Sequence, residues 1–288
     1  VTRQYKRRYD LSIIDSENNA VVIRELKIEF EIVKSVLSYP NLAKISLYNL
    51  SKKTLALLQT KFTRIVLNAG YLDNVSLIFK GDIRNIFQSQ QGVDSIATIY
   101  AADGEKDWQN ATFNKTFTAN VTISEQINEV LATFKETTIG VIEGVPQISE
   151  NLRGQTLSGS SKDILDNFAN EYGFNWNIQD GEVTITPVDQ PLTGTEAVLI
   201  TAMTGMVGSP TLTEIGADVT TLLNPRLLPN AAFKIESIDT DVQLGNLYFR
   251  DIEKTTAAGL YKVQEVTFKG NSREGDWVSS VKGRVINV

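Results

Sequence analysis

Short runs of Val, Ile, Leu, Tyr and Phe that alternate with polar residues occupy both ends of this chain. A two-residue period is what a strand with one dry and one wet face demands, so it constrains the fold more than any other feature. In the first third the runs are Tyr9 to Ile14, Val21 to Val33, Ala43 to Leu50, Arg64 to Ala69, Leu77 to Phe87 and Ser95 to Ala101. Lys44-Ile-Ser-Leu-Tyr-Asn49 puts Ile45 and Leu47 on one face. A closed or strongly curved antiparallel sheet is the economical arrangement. One helix interrupts it, capped by Ser51 and docked through Leu55, Ala56 and Leu58.

Past residue 102 the period changes. Thr122-Ile-Ser-Glu125 is a capping-box pattern opening a helix whose Ile127, Val130, Leu131 and Phe134 share a face. A second helix takes Ser160 or Ser161 as cap, places Ile164, Leu165, Phe168 and Tyr172 at helical spacing, and stops at Gly173. Asp180-Gly181 then separates Phe174–Ile178 from Glu182–Thr186, the signature of a hairpin with a type I′ turn. Short strands return at Val198 to Thr201, Ala217 to Leu222, Ala232 to Ile238, Leu247 to Asp251, Leu260 to Phe268 and Val278 to Val288, which read as a second barrel or sandwich.

Charge divides the chain at the same places. Residues 1–102 hold 14 basic and 9 acidic side chains, residues 103–190 hold 5 and 14, and residues 191–288 hold 9 and 11. The middle is an acidic block. Of 288 residues none is Cys or His, so thiolate nucleophiles, imidazole bases and the usual zinc and haem ligands are excluded. Catalysis would rest on carboxylates, Lys, Tyr or Ser. The first methionine is Met203, so Val1 is read as following an excised initiator or as a trimmed end. No signal peptide or long apolar span is visible, and the chain reads as soluble, made in the cytoplasm and not a membrane protein by itself.

Several local patterns invite chemistry, and each has a plainer reading. Gly154 to Ser161 has the glycine spacing of a phosphate loop but carries Ser160 where the lysine belongs, so helix capping is favoured. Asp103, Glu105 and Asp107 resemble half a calcium loop, yet Trp108 stands at the sixth position and Asn114 at the twelfth; a solvated inter-domain loop is favoured. Asp239 and Asp241 could form a weak cation site. Glu171 and Glu143 are the carboxylates a glycosidase would use, with nothing to bring them together. Trp108, Trp176 and Trp277 are sugar platforms if exposed and core or interface aromatics if not. Arg3, Lys6, Arg7 and Arg8 spread over both faces of a strand in an acidic protein, which favours a charge-guarded edge or a face for an acidic protein over nucleic acid.

Ordered strings give a resemblance. Ile45-Ser-Leu-Tyr-Asn-Leu-Ser51, Val66-Leu-Asn-Ala-Gly-Tyr71 and Ile78-Phe-Lys-Gly-Asp-Ile83 resemble the N-terminal barrel of baseplate hub proteins of contractile-tailed phages. Lys162-Asp-Ile-Leu165, Tyr172-Gly-Phe-Asn-Trp176 and the Asp180-Gly181 hairpin are similar to the central part of such hubs. Gly205-Met-Val-Gly-Ser-Pro210, Leu223-Asn-Pro225, Gly259-Leu-Tyr-Lys-Val263, Phe268-Lys-Gly-Asn271 and Asp276-Trp277 are similar to their distal barrel. The resemblance implies a mainly β fold with an α+β insert: two tube-like antiparallel β-barrel domains, 1–102 and 191–288, flanking a small acidic α/β module, 103–190. It further implies a homotrimer whose pseudo-sixfold ring joins a hexameric tail tube to a central spike among other baseplate proteins in the virion. DNA would be met only through the lumen. Many hubs carry or bind a peptidoglycan-cleaving domain; no such domain is found here, so no enzyme, catalytic residue, metal or cofactor is expected. The alternatives are a carbohydrate-binding or adhesive β protein and a tail-associated peptidoglycan hydrolase.

Overall fold

Alternation becomes strand where one face can be buried, and the described residues hold nineteen strands. The computed structural model describes residues 6–60, 62–72, 74–147, 154–237, 241–242 and 256–286. In order these form β1 (Arg7–Asp15), β2 (Ala20–Ile23), β3 (Ile28–Ser35), β4 (Leu42–Tyr48), α1 (Lys52–Thr60), β5 (Phe62–Tyr71), β6 (Asn74–Gln91) and β7 (Asp94–Ala102). The middle contributes α2 (Glu105–Asn110), β8 (Thr112–Phe117), α3 (Ile123–Leu131), β9 (Thr138–Ile142), β10 (Gln155–Ser160), α4 (Ser161–Tyr172), β11 (Phe174–Gln179) and β12 (Glu182–Pro187). Then follow β13 (Val198–Ile200), β14 (Met206–Leu212), β15 (Gly216–Leu222), β16 (Ala232–Ile235), β17 (Asp241–Val242), β18 (Gly259–Asn271) and β19 (Trp277–Val285).

The two outer thirds share one 14-stranded sheet, with β3 of the first paired antiparallel to β18 of the last. One register row crosses nine strands: Arg64, Asp82, Ala102, Leu42, Val33, Thr267, Ser280, Thr220 and Val207. Far strands return to touch the β18–β19 turn. The Trp277 Nε1–H donates to Gly70 O at 3.1 Å, and Arg7 donates to Asn271 O at 2.8 Å and Gly275 O at 2.7 Å. The sheet therefore curls around one continuous apolar cluster that holds Leu11, Ile32, Ile45, Leu67 and Ile99 from the first third and Phe233, Tyr261, Phe268 and Val281 from the last. The Phe30 and Trp277 rings meet edge to face at 5.2 Å across it. Gly283 stays side-chain free because a Cβ there would sit 2.3 Å from the Phe233 ring.

The middle block builds its own core from α3, α4 and two small sheets, β8–β10 and β11-β12-β9. Most of its expected signals are met, although α3 ends at Leu131 and Phe134 joins the core from just beyond it. Thr122 and Glu125 form the reciprocal capping box, Gly173 ends α4 in the left-handed region, and Asp180 and Gly181 both take positive φ, 55° and 86°. α1 is capped by Ser51, whose Oγ accepts from Thr54 N at 3.1 Å, and buries Leu55 and Leu58 while Ala56 faces solvent.

Some expectations need correction. Val21 to Val33 is not one strand: the charged stretch Arg24–Lys27 separates β2 from β3. Asp103 to Asp107 is not a solvated loop, for Asp103 and Asp107 are buried and α2 begins at Glu105. Ser160 sits at the α4 cap position but makes no capping bond, and Gln155 to Ser160 is a strand rather than a loop. Leu247 to Asp251 lies outside the described residues.

Candidate functional site

A buried polar seam joins the acidic module to the sheet, and it is assembled by the β11–β12 hairpin. Lys34, fully buried on β3, holds Asp180 at 2.6 Å. Asp180 Oδ1 also accepts Lys80 N at 3.1 Å, while Asp103 accepts the N–H groups of Asp180 and Gly181. Asn41 donates to Ile178 O at 2.8 Å, and Gln179 donates to Ser35 O at 2.8 Å. Desolvation, with the Asp180 charge added to it, raises the Asp103 carboxyl to about 6. At the opposite end of the hairpin the fully buried Lys262 Nζ donates to Pro187 O at 2.6 Å and contacts Thr186 Oγ1 at 3.4 Å. Burial lowers its pKa to about 8. Two buried lysines on paired strands thus grip both ends of one hairpin. Beside the first of them a cavity of 430 Å³ runs past Lys34, Asp180, Leu228 and Asn230.

The second candidate surface is what the sheet leaves uncovered. Val33, Leu42, Phe87, Tyr100 and Val207 are exposed apolar residues on its outer side, beside a cross-strand row in which Lys44, Glu31 and Lys269 alternate in sign. β5 pairs with β6 only as far as Asp82, so among the described residues β6 is bonded from Asn85 to Gln91 to β7 alone. Residues 85–93 carry no charge, Phe87 is 58% exposed and Val93 is 97% exposed. Lysine, proline or bulges ordinarily blunt such an edge; this one has none of them past the register shift at Ile83–Asn85.

Most side chains singled out in the sequence find a place among the described residues. Asp107 accepts the backbone N–H groups of Lys135, Glu136 and Thr137 at 2.7–3.0 Å, and Glu105 pairs with Arg84, so the half calcium loop spends its carboxylates on the fold. Asp239, and the side chain of Asp241, lie outside the described residues. Among those described, no group of three or more acids could hold a metal ion. Glu143 accepts from Thr193 N and Oγ1 at 3.1 Å; Glu171 is exposed near the end of α4. Neither lines the cavity beside Lys34 and Asp180. Trp176 and Trp277 are buried, with Trp176 donating to Asp166 at 2.7 Å, and Lys162 lies 3.6 Å over the Trp108 ring. These are packing roles, not sugar platforms. Arg7 and Arg8 lie on the stretch of β1 that precedes its pairing with β2, and Arg3 falls outside the described residues. Sequence reasoning missed Lys34 and Lys262, since an alternating strand marks its core positions only when they are apolar. No helix among the described residues is long and apolar enough to cross a membrane.

Comparison with known proteins finds one family. The description Baseplate hub gp41 matches residues 11–241. Among solved structures, the tail protein of Neisseria meningitidis MC58 is similar over 97% of this chain and 97% of its own, with TM-score 0.62 at 8% identity. The 43 kDa tail protein of prophage MuSo2 from Shewanella oneidensis is similar over 97% and 98%, with TM-score 0.59 at 10% identity. The E. coli c3393 protein, described as a type VI secretion component structurally similar to T4 tail proteins gp27 and gp5, is similar over 91% of this chain and 74% of its own, with TM-score 0.57 at 11% identity. At such identities the likeness is one of fold. No curated protein sequence matches the chain.

Proposed function

This chain belongs to the baseplate hub gp41 family, and from that premise we propose that it works as a homotrimeric hub, adapting a hexameric tail tube to a threefold central spike. Its role is that of a structural protein of the phage tail, located in the virion. The observation that carries the trimeric reading is the β3–β18 pairing, which fuses the strands of the two outer thirds edge to edge. One chain then supplies two neighbouring wall segments, and three chains supply six, the number a hexameric tube presents. The uncharged edge of β6, which no strand among the described residues covers, offers a place for successive chains to join. The acidic module has its own core beyond the hairpin seam and is suited to contacts with other baseplate proteins.

The test is the oligomeric mass and rotational symmetry of the purified chain, or of the particle that contains it. A trimer with threefold symmetry around an axial channel is expected. A monomer in solution together with sixfold or no symmetry in the particle would overturn the reading.

A further inference from the structure

The largest cleft among those described, 590 Å³, gathers Arg7 and Arg8 from the start of β1, Arg24 from the β2–β3 connection and Arg273 from the β18–β19 turn, with Asp10 and Glu25 beside them. These segments are separated by up to about 270 positions in the chain and converge only on folding. What distinguishes the cluster is how its guanidiniums are held. Arg7 is fixed by the carbonyls of Asn271 and Gly275 and lies 5.8 Å from the Trp277 ring, and Arg273 donates to Glu25 O at 2.7 Å. Carbonyls orient a guanidinium without neutralising it. Among the described residues, Arg24 alone of the four has a carboxylate partner, Asp10 at 2.6 Å, and the exposed Arg8 has no partner.

We propose that this arginine cleft is a docking site for an acidic polypeptide segment of a partner protein, whose carboxylates the pre-oriented guanidiniums engage in pairs. Charge complementarity supports the choice, for the lining is net positive in a protein whose formal net charge is −6. A protein partner fits better than nucleic acid. Asp10 and Glu25 interrupt the positive lining, which suits spaced carboxylates and repels a continuous ladder of phosphates. The one aromatic in the cleft, Tyr9, is buried and donates to Leu26 O, leaving no ring for base stacking. The size suits a few residues of chain rather than a long track.

The proposal is independent of the trimeric reading and is tested on the full chain with two labelled probes, a hexaglutamate peptide and a thymidine hexanucleotide, by fluorescence anisotropy. Saturable, salt-sensitive binding of hexaglutamate is expected, weakened by about tenfold in Arg8→Glu, a change of roughly 1.4 kcal/mol. Arg24→Gln should weaken it in the same direction, and thermal melts of both variants check the fold. No binding of hexaglutamate to the natural chain, equal affinity in folded Arg8→Glu, or tighter binding of the oligonucleotide than of the peptide would each overturn it.

Discussion

Asp103 and Lys262 mark the seam as electrostatically costly, and the two costs have opposite pH signatures. The Asp103 carboxyl is raised from 3.8 to about 6, chiefly by desolvation. The folded state therefore holds a proton there that the unfolded chain has released. Its contribution to stability is fully present below about pH 4 and is lost as pH rises through 6, up to about 3 kcal/mol. Asp103→Asn removes this titration, so stability relative to the natural chain should climb between pH 4 and 6. Urea midpoints across that window check it, and parallel curves would refute it. Lys262 runs the other way, lowered from 10.5 to about 8 by burial. The unfolded chain keeps that proton longer, so stability gains from this site as pH rises from 8 towards 10.5. Lys262→Met should lack that gain, with the natural chain improving relative to it by up to about 3 kcal/mol over the same window in thermal or denaturant melts.

At the scale of elements, the β11–β12 hairpin depends on Lys34. Removing this cation leaves the Asp180 and Asp103 carboxylates facing each other in a buried site, a loss of about 3–5 kcal/mol. Lys34→Ala should release the hairpin before the sheet: hydrogen exchange should accelerate across β11 and β12 while the β1–β5 amides stay protected. Equal acceleration in both would show that the seam is not a separate unit. This hairpin was fully legible in the sequence, because Asp180-Gly181 encodes its turn locally. So were α3 and α4, whose apolar spacing and end signals lie within one window. The partners of the hairpin were not legible. Lys34 and Asp180 are 146 positions apart, and a lysine among alternating apolar residues gives no sign of pointing inward. Strands β8 and β10 were missed because Thr, Ser, Asn and Gly dominate them and they are largely exposed. β14 has no clear strand signal because Gly208 and Pro210 interrupt its alternation; they sit at a register shift near the sheet edge. The β3–β18 pairing leaves no local trace at all, since only the fold brings those residues together.

At the scale of the whole molecule, what matters is that a long curved sheet ends in an arm it does not use itself. Past Asp82, no strand among the described residues pairs with β6 on the side where β5 has stopped. Phe87 is more than half exposed, its ring 5.7 Å from that of Tyr100, and Val93 is almost wholly in water. An isolated subunit gains nothing from leaving this edge unguarded, and risks unspecific pairing. A subunit that joins others gains a backbone ladder wherever a sister strand meets it. Guarding the edge should separate the two cases. Gln88→Lys with Gln90→Lys places two charges on exposed positions of the arm, away from both apolar cores, so each chain should keep its stability within about 0.5 kcal/mol. If β6 joins neighbouring chains, native mass spectrometry should show the assembled species giving way to single chains at equal concentration, with the melting curve unchanged. If assembly persists at full strength while the fold is intact, the joint lies elsewhere on the sheet and the arm serves another contact.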